Sequence, residues 1–173
     1  MATPWQTGNV PGPKMANTLP TEGLPKLLER AEKPLLVLGG NSTKDEVGDA
    51  LDSILRLAKR FKVQIAVSPG VYKSVKDRSD FPMVCIGVED LTNRLRDRGW
   101  KGLDGKGNYD LVLFAGSIYY FQSQMLATLK HFAPHLKTVS IDRFYQPNAD
   151  FSFRNMNEHD WKKSLESMVK QHG

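Results

Sequence analysis

Residues 34–70, PLLVLGGNSTKDEVGDALDSILRLAKRFKVQIAVSPG, run from an apolar segment through an amphipathic one to a second apolar segment. Pro34–Leu38 is unbroken Leu and Val after its proline and stops at Gly39-Gly40, the pattern of a strand covered on both faces in a parallel sheet. Thr43 with Glu46 three residues later reads as a capping box. Val47, Leu51, Ile54, Leu55 and Ala58 then form one helical stripe that ends at Arg60. Residues 62–67 read as a second strand, closed by Ser68-Pro69-Gly70. A strand-helix-strand unit of this length belongs to a parallel sheet, where the right-handed crossover is close to obligatory.

The same alternation continues outward. Upstream, Leu24, Leu27, Leu28 and Ala31 have helical spacing, and the helix should stop before Lys33-Pro34. Residues 1–20 carry four prolines and two glycines without periodicity, which predicts an irregular N-terminal arm that orders only against a partner. Residues 21–173 then form a single domain. Downstream, 83–86 reads as a short strand and 88–98 as a charged helix in which Asp90 and Arg94 can pair. Residues 99–109 form a loop with four glycines, structured and pinned by Trp100. A strand over 110–114, a helix through Lys130, a strand over 138–141 and an amphipathic helix over Glu158–Lys170 complete the order. Alternating β and α elements predict a three-layer α/β, Rossmann-like domain with a mostly parallel sheet and helices on both faces.

Composition restricts the chemistry. The chain has 173 residues and one cysteine, Cys85, so it has neither an intrachain disulfide nor the thiolates that an iron–sulfur cluster requires. Flanked by Met83, Val84 and Ile86, Cys85 reads as a buried, inert thiol. His131 and His135 have i, i+4 spacing, but Pro134 interrupts the helix between them, so surface or capping roles are expected rather than a metal. A net charge of +5, with cations interspersed among carboxylates, gives no support to nucleic-acid binding. No apolar run is long enough to span a membrane, and no leader pattern is evident, which predicts a soluble cytoplasmic protein.

In a sheet of this kind, ligands bind beyond the strand carboxyl ends. Four loops meet there: Gly39, Gly40 and Asn41; Gly70 with its preceding Ser-Pro; Gly116 and Ser117; and Asp142 and Arg143. These residues form the candidate nucleotide crevice, with Asp142 placed to accept from ribose hydroxyls. The 39–44 loop is neither Gly-x-Gly-x-x-Gly nor a Walker loop, and Asp45 and Glu46 would repel a phosphate at that helix terminus. The alternative is that the glycines serve tight strand-to-helix turns. Tyr119-Tyr120-Phe121 has two readings as well: helix packing on the sheet, or an interface anchor. No catalytic constellation stands out.

WKGLDGKGNYD at 100–110, the aromatic Tyr119-Tyr120 and SIDRFYQPNADFSF at 140–153 resemble the epsilon subunit of the archaeal acetyl-CoA decarbonylase/synthase complex. AEKPLLVLGG near the start extends the resemblance. It implies a non-catalytic accessory subunit bound to the nickel–iron–sulfur carbon monoxide dehydrogenase (alpha) subunit in an alpha-two, epsilon-two component. Such a subunit would stabilise its partner or assist electron transfer to FAD. A self-associated state is the default for the isolated chain. AEKPLLVLGGN together with TVSIDRFYQPNADFSF is also similar to the middle domain of thiamine-diphosphate enzymes. That is a DHS-like NAD/FAD-binding fold in which some members hold FAD or ADP and others hold nothing, so FAD is the one cofactor implied, with an empty crevice as the other outcome. The competing function is a free-standing FAD/NAD-binding module or small oxidoreductase.

Overall fold

The computed structural model describes residues 15–170. Its elements, in chain order, are β1 (Asn17–Thr18), α1 (Gly23–Arg30), β2 (Pro34–Leu38), α2 (Asp45–Arg60), β3 (Gln64–Val67), a 3-10 turn (Pro69–Val71), α3 (Tyr72–Lys76) and β4 (Met83–Cys85). They continue with α4 (Val88–Arg96), β5 (Leu111–Ala115), α5 (Tyr119–Phe132), β6 (Lys137–Ser140), β7 (Phe151–Ser152) and α6 (Glu158–Lys170). The strands form one sheet in the order β1-β7-β6-β5-β2-β3-β4. Every pairing in it is parallel.

Period-2 alternation along the central strands divides the core into two layers. Leu36 and Leu38 of β2 pack with Ile54, Ile65, Leu113 and Trp161 on the face covered by α1, α2 and α6. Leu35 and Val37 pack with Leu91, Val112, Phe114 and Leu126 on the face covered by α4 and α5. The three-layer Rossmann-like reading of the sequence is therefore what the chain adopts. From β2 at the centre the chain moves outward through β3 and β4, returns to β5 on the other side of β2, and moves outward again through β6 and β7. The direction of winding reverses between β2 and β5, where such sheets open their crevice.

Several expectations need correction. Residues 15–20 do not belong to an irregular arm: Ala16 and Leu19 are buried, and Asn17 and Thr18 pair with Phe151 and Ser152 at the sheet edge. The rest of the expected arm, 1–14, lies outside the described residues. Two-residue strands such as β1 and β7 have no periodicity to detect. Thr43 is not the cap of α2, because Lys44 occupies that position and makes no side-chain cap hydrogen bond. Asp45 takes a left-handed φ of 48°, and Glu46 turns away from Thr43 toward Arg143. Cys85 is exposed, because β4 is the outermost strand and is paired on one side only.

Candidate functional site

At the reversal point the β2–α2 and β5–α5 loops are packed directly against each other. The Gly39 N–H donates to the Ala115 carbonyl at 2.9 Å, and the Asn41 N–H to the Gly116 carbonyl at 2.7 Å. A Cβ on Gly39 would fall 2.7 Å from the Gly116 carbonyl oxygen and on top of the Ser117 hydroxyl. Gly116 has φ +71°, and a Cβ there would lie 2.6 Å from Ser42 Cα. Both glycines are required by loop-to-loop packing, which accounts for their identity without a ligand.

The closure splits the crevice into two clefts. One, of about 240 Å³, brings together Asn41, Glu46, Gly116, Ser117, Asp142 and Arg143, with Tyr119 and Gln146 behind them. The other, of about 380 Å³, lies on the far side of the closed loops and has Gly40, Ser68, Val88 and Phe121 in its lining. Ligand sites for drug-sized molecules occupy roughly 300–1,000 Å³, so neither cleft is roomy for a dinucleotide. Of the eight candidate residues, five (Asn41, Gly116, Ser117, Asp142 and Arg143) line the first cleft, Gly40 lines the second, and Gly39, packed between the two loops, lines neither. Gly70 lines neither: it sits exposed in the 3-10 turn after β3, with open space where a Cβ would be.

The electrostatics of the smaller cleft come from three groups. Arg143 Nε donates to Glu46 Oε1 at 2.8 Å, and its guanidinium lies 4.0 Å from the Phe144 ring centroid. The hydrogen bond from Arg143 holds the Glu46 carboxyl below its ordinary range. In a Rossmann site the N-terminus of the first crossover helix seats a phosphate. Here the first turn of α2 carries Asp45 and Glu46, so the chain's own carboxylates face that terminus, one of them already paired. Nor does an acidic residue follow β3, where a dinucleotide ribose would be held; Ser68, Pro69 and Gly70 stand there.

Asp142 is the third group. Its Oδ1 accepts from the Gly116 N–H at 3.0 Å, and the Gln122 side chain also hydrogen-bonds it. The residue is only partly covered, yet enough protein surrounds the carboxyl that desolvation pushes its pKa up to about 6, with the nearby Glu46 charge adding to the rise. A raised folded-state pKa makes the ionised group a liability. Below pH 4 the proton is on in both folded and unfolded chains; between 4 and 6 only the folded chain holds it, so stability falls as pH rises through this window. Above 6 the full cost remains. Asp142→Asn keeps an acceptor for Gly116 and should raise stability at pH 7 by about 1–3 kcal/mol, with the advantage vanishing near pH 4. Thermal melts across pH 4–8 measure this, and parallel curves for variant and wild type would refute it.

The aromatic run at the start of α5 has divided roles. Tyr119 donates its hydroxyl to the Tyr145 carbonyl at 2.7 Å, and its own carbonyl accepts from Gln146 Nε2 at 3.0 Å. Ile118, which lines both clefts, and Tyr120 instead are 63% and 52% exposed, which leaves apolar surface facing outward. Gln146 is buried, with an Oε1 that has no partner among the described residues. Sequence reasoning missed Gln122, Gln146 and the Glu46–Arg143 pair, whose members lie 97 positions apart.

Comparison with known proteins settles the family. The model describing the CO dehydrogenase beta subunit/acetyl-CoA synthase epsilon subunit matches residues 1–169. The chain belongs to that family. It is 36% identical over 165 residues to the acetyl-CoA decarbonylase/synthase complex subunit epsilon of Methanothermobacter thermautotrophicus, covering 95% of this chain and 93% of that one. It is 38% identical to the subunit of the same name from Methanothrix soehngenii, covering 96% and 89%. With subunit epsilon 1 of Archaeoglobus fulgidus the identity is 39%, over 75% and 69%. The resemblance of the 100–110 and 140–153 segments thus extends along nearly the whole chain. Among the described residues of this epsilon-family chain, no three metal-ligating side chains cluster, and no helix is long and apolar enough to cross a membrane.

Proposed function

We propose that this chain is a non-catalytic accessory subunit of an acetyl-CoA decarbonylase/synthase complex. In this reading it binds the nickel–iron–sulfur carbon monoxide dehydrogenase (alpha) subunit as an alpha-two, epsilon-two component and stabilises it. The observation that carries the proposal is a family match spanning residues 1–169 on a chain with a single cysteine. Such a chain cannot ligate the clusters that carbon monoxide oxidation needs, so its contribution comes through binding. The exposed Ile118 and Tyr120 are consistent with a surface completed by a partner.

A role in electron transfer through FAD held by Asn41, Gly116, Ser117, Asp142 and Arg143 is the second reading, favoured by the position of the cleft at the reversal of winding. Co-expression with the alpha subunit tests the first. Stable co-purification, with a higher melting temperature for the alpha subunit than when it is made alone, is the expected result. An alpha subunit that purifies free of this chain, at unchanged stability, would overturn it. Flavin fluorescence titration of the isolated chain tests the second: quenching that saturates would support FAD binding, and a flat response at high micromolar flavin would reject it.

A further inference from the structure

The 99–109 loop lies at the end of the sheet opposite the clefts, and its conformation is fixed from within. Lys33, just before β2, reaches into it: Nζ is 2.5 Å from both Asp104 Oδ1 and the Gly107 carbonyl, and 4.9 Å from the Tyr109 ring centroid. Tyr109 is buried. Its hydroxyl donates to Gln64 Oε1 and accepts from the Leu103 N–H at 3.0 Å. Burial pushes its pKa up to about 12, so this donor stays protonated. Gly102 and Gly105 have φ +74° and Gly107 has φ +120°, conformations that side chains other than glycine rarely adopt. Three special backbone positions and a buried hub are thus spent on a loop that lines neither of the two clefts.

What this scaffold presents to solvent is basic. Between Arg94 and Lys106 the sequence has five cations and two carboxylates, and both carboxylates are engaged: Asp104 with Lys33, and Asp97 accepting from the Gly99 N–H at 2.8 Å. Arg94 is paired with Asp90 at 3.1 Å. Arg96 sits in the last turn of α4, where a cation complements the helix dipole. Arg98, Lys101 and Lys106 lie beyond the helix and are exposed, so the dipole does not account for them.

The end of α5 joins the same face. His135 Nε2 lies 3.0 Å from the Leu95 carbonyl and 3.2 Å from Asn108 Nδ2, tying α5, α4 and the loop together. There Phe132 is 64% exposed, with the Arg96 guanidinium 6.0 Å from its ring centroid. An exposed aromatic with Arg96 over its ring, tied through His135 to a preordered loop that carries exposed Arg and Lys, has the composition of a protein interface, in which a buried anchor is accompanied by a charged rim. A nucleic-acid face would be expected to offer several aromatics for stacking and fewer carboxylates among its cations.

We infer that the face formed by Arg96, Arg98, Lys101, Lys106 and Phe132 docks a carboxylate-rich surface of the partner subunit, with Phe132 as its apolar anchor. The inference rests on the accessory-subunit reading and names the surface that reading leaves open. The test is binding of purified chain to the alpha subunit by calorimetry at low and high salt. It compares wild type, the triple variant Arg98→Glu/Lys101→Glu/Lys106→Glu, Phe132→Ala, and a distal control, Lys73→Glu. All should melt at wild-type temperature, because each changed side chain is exposed. The triple variant should lose affinity by about a hundredfold and shed the salt dependence. Phe132→Ala should lose about tenfold, and the control should bind as wild type does. If wild type and the triple variant bind the subunit equally, the inference alone fails. If wild type does not bind the subunit at all, the accessory reading fails and this surface falls with it. Salt-sensitive retention of single-stranded RNA by the same residues, with no change in subunit binding, would assign the face to nucleic acid and overturn the inference.

Discussion

Gly116→Val should destabilise the fold by about 3–5 kcal/mol. The residue follows β5 at φ +71°, where a β-branched side chain is strained before it touches anything, and its Cβ alone would lie 2.6 Å from Ser42 Cα. Ser42 is fully buried and its N–H donates to the Gly39 carbonyl at 3.1 Å, so the obstacle is backbone and not a mobile side-chain tip. Relief requires the β2–α2 loop to separate from the β5–α5 loop, and that movement also withdraws the Gly116 N–H from Asp142. Gly40→Ala and Gly70→Ala meet nothing within 4 Å and should stay within about 0.5 kcal/mol of wild type. Urea unfolding of the three variants makes the comparison. Equal stability of Gly116→Val and Gly40→Ala would mean that the two loops are not packed together in solution. If the loops do part without global unfolding, the separate clefts merge, and flavin titration of this variant beside wild type asks whether a wider crevice changes binding.

The sequence marks the central elements because each carries its own signal. β2, β3 and β5 are largely apolar runs ended by turn residues, and the stripes of α2 and α6 repeat at helical spacing, so burial on both faces of a sheet is written locally. Asp90–Arg94 was legible for the same reason: its spacing is set within one helix. What escaped is tertiary. β1 and β7 are strands only because β7 pairs with β6 and β1 then pairs with β7, and the cap of α2 failed because Glu46 has a better partner in Arg143 than in Thr43. Gly39 and Gly116 were recognised as loop glycines of two possible meanings, and only the approach of two loops 77 residues apart in sequence shows which applies. Trp100 was expected to pin the 99–109 loop. It does lie against Tyr109, at 5.9 Å between ring centroids, but Tyr109 and Lys33 hold the loop, and Lys33 is distant in sequence. The candidate site was thus legible as a meeting of strand ends, while its closure was not.

Trp161→Ala should be the other large loss, about 3–5 kcal/mol. Trp161, in the first turn of α6, is fully buried, and its indole N–H donates to the Ile141 carbonyl at 2.9 Å. It packs in the layer that contains Ile54, Val139 and Leu165. Alanine there leaves a ring-sized cavity between α6 and the sheet and an unpaired buried carbonyl. The ion pair that also joins α6 to α2, Lys162 with Asp49 at 2.9 Å, faces solvent, and Lys162→Ala should cost less than about 1 kcal/mol. The ordering of these two variants in thermal unfolding decides whether packing or charge holds α6; a larger loss for Lys162→Ala would refute the packing account. Trp161→Phe separates the ring from the hydrogen bond. It keeps most of the apolar contact and removes the donor, so it should cost about 1–2 kcal/mol, and its second effect is at the cleft. Ile141 directly precedes Asp142, so the bond from Trp161 fixes the backbone from which that carboxyl reaches Gly116. Releasing it should let water approach Asp142, lower its folded-state pKa from about 6 toward the ordinary carboxylate range, and flatten the fall in stability between pH 4 and 6. A Phe variant that is destabilised yet keeps the wild-type pH profile would show that Trp161 supports the fold without setting the electrostatics of the cleft.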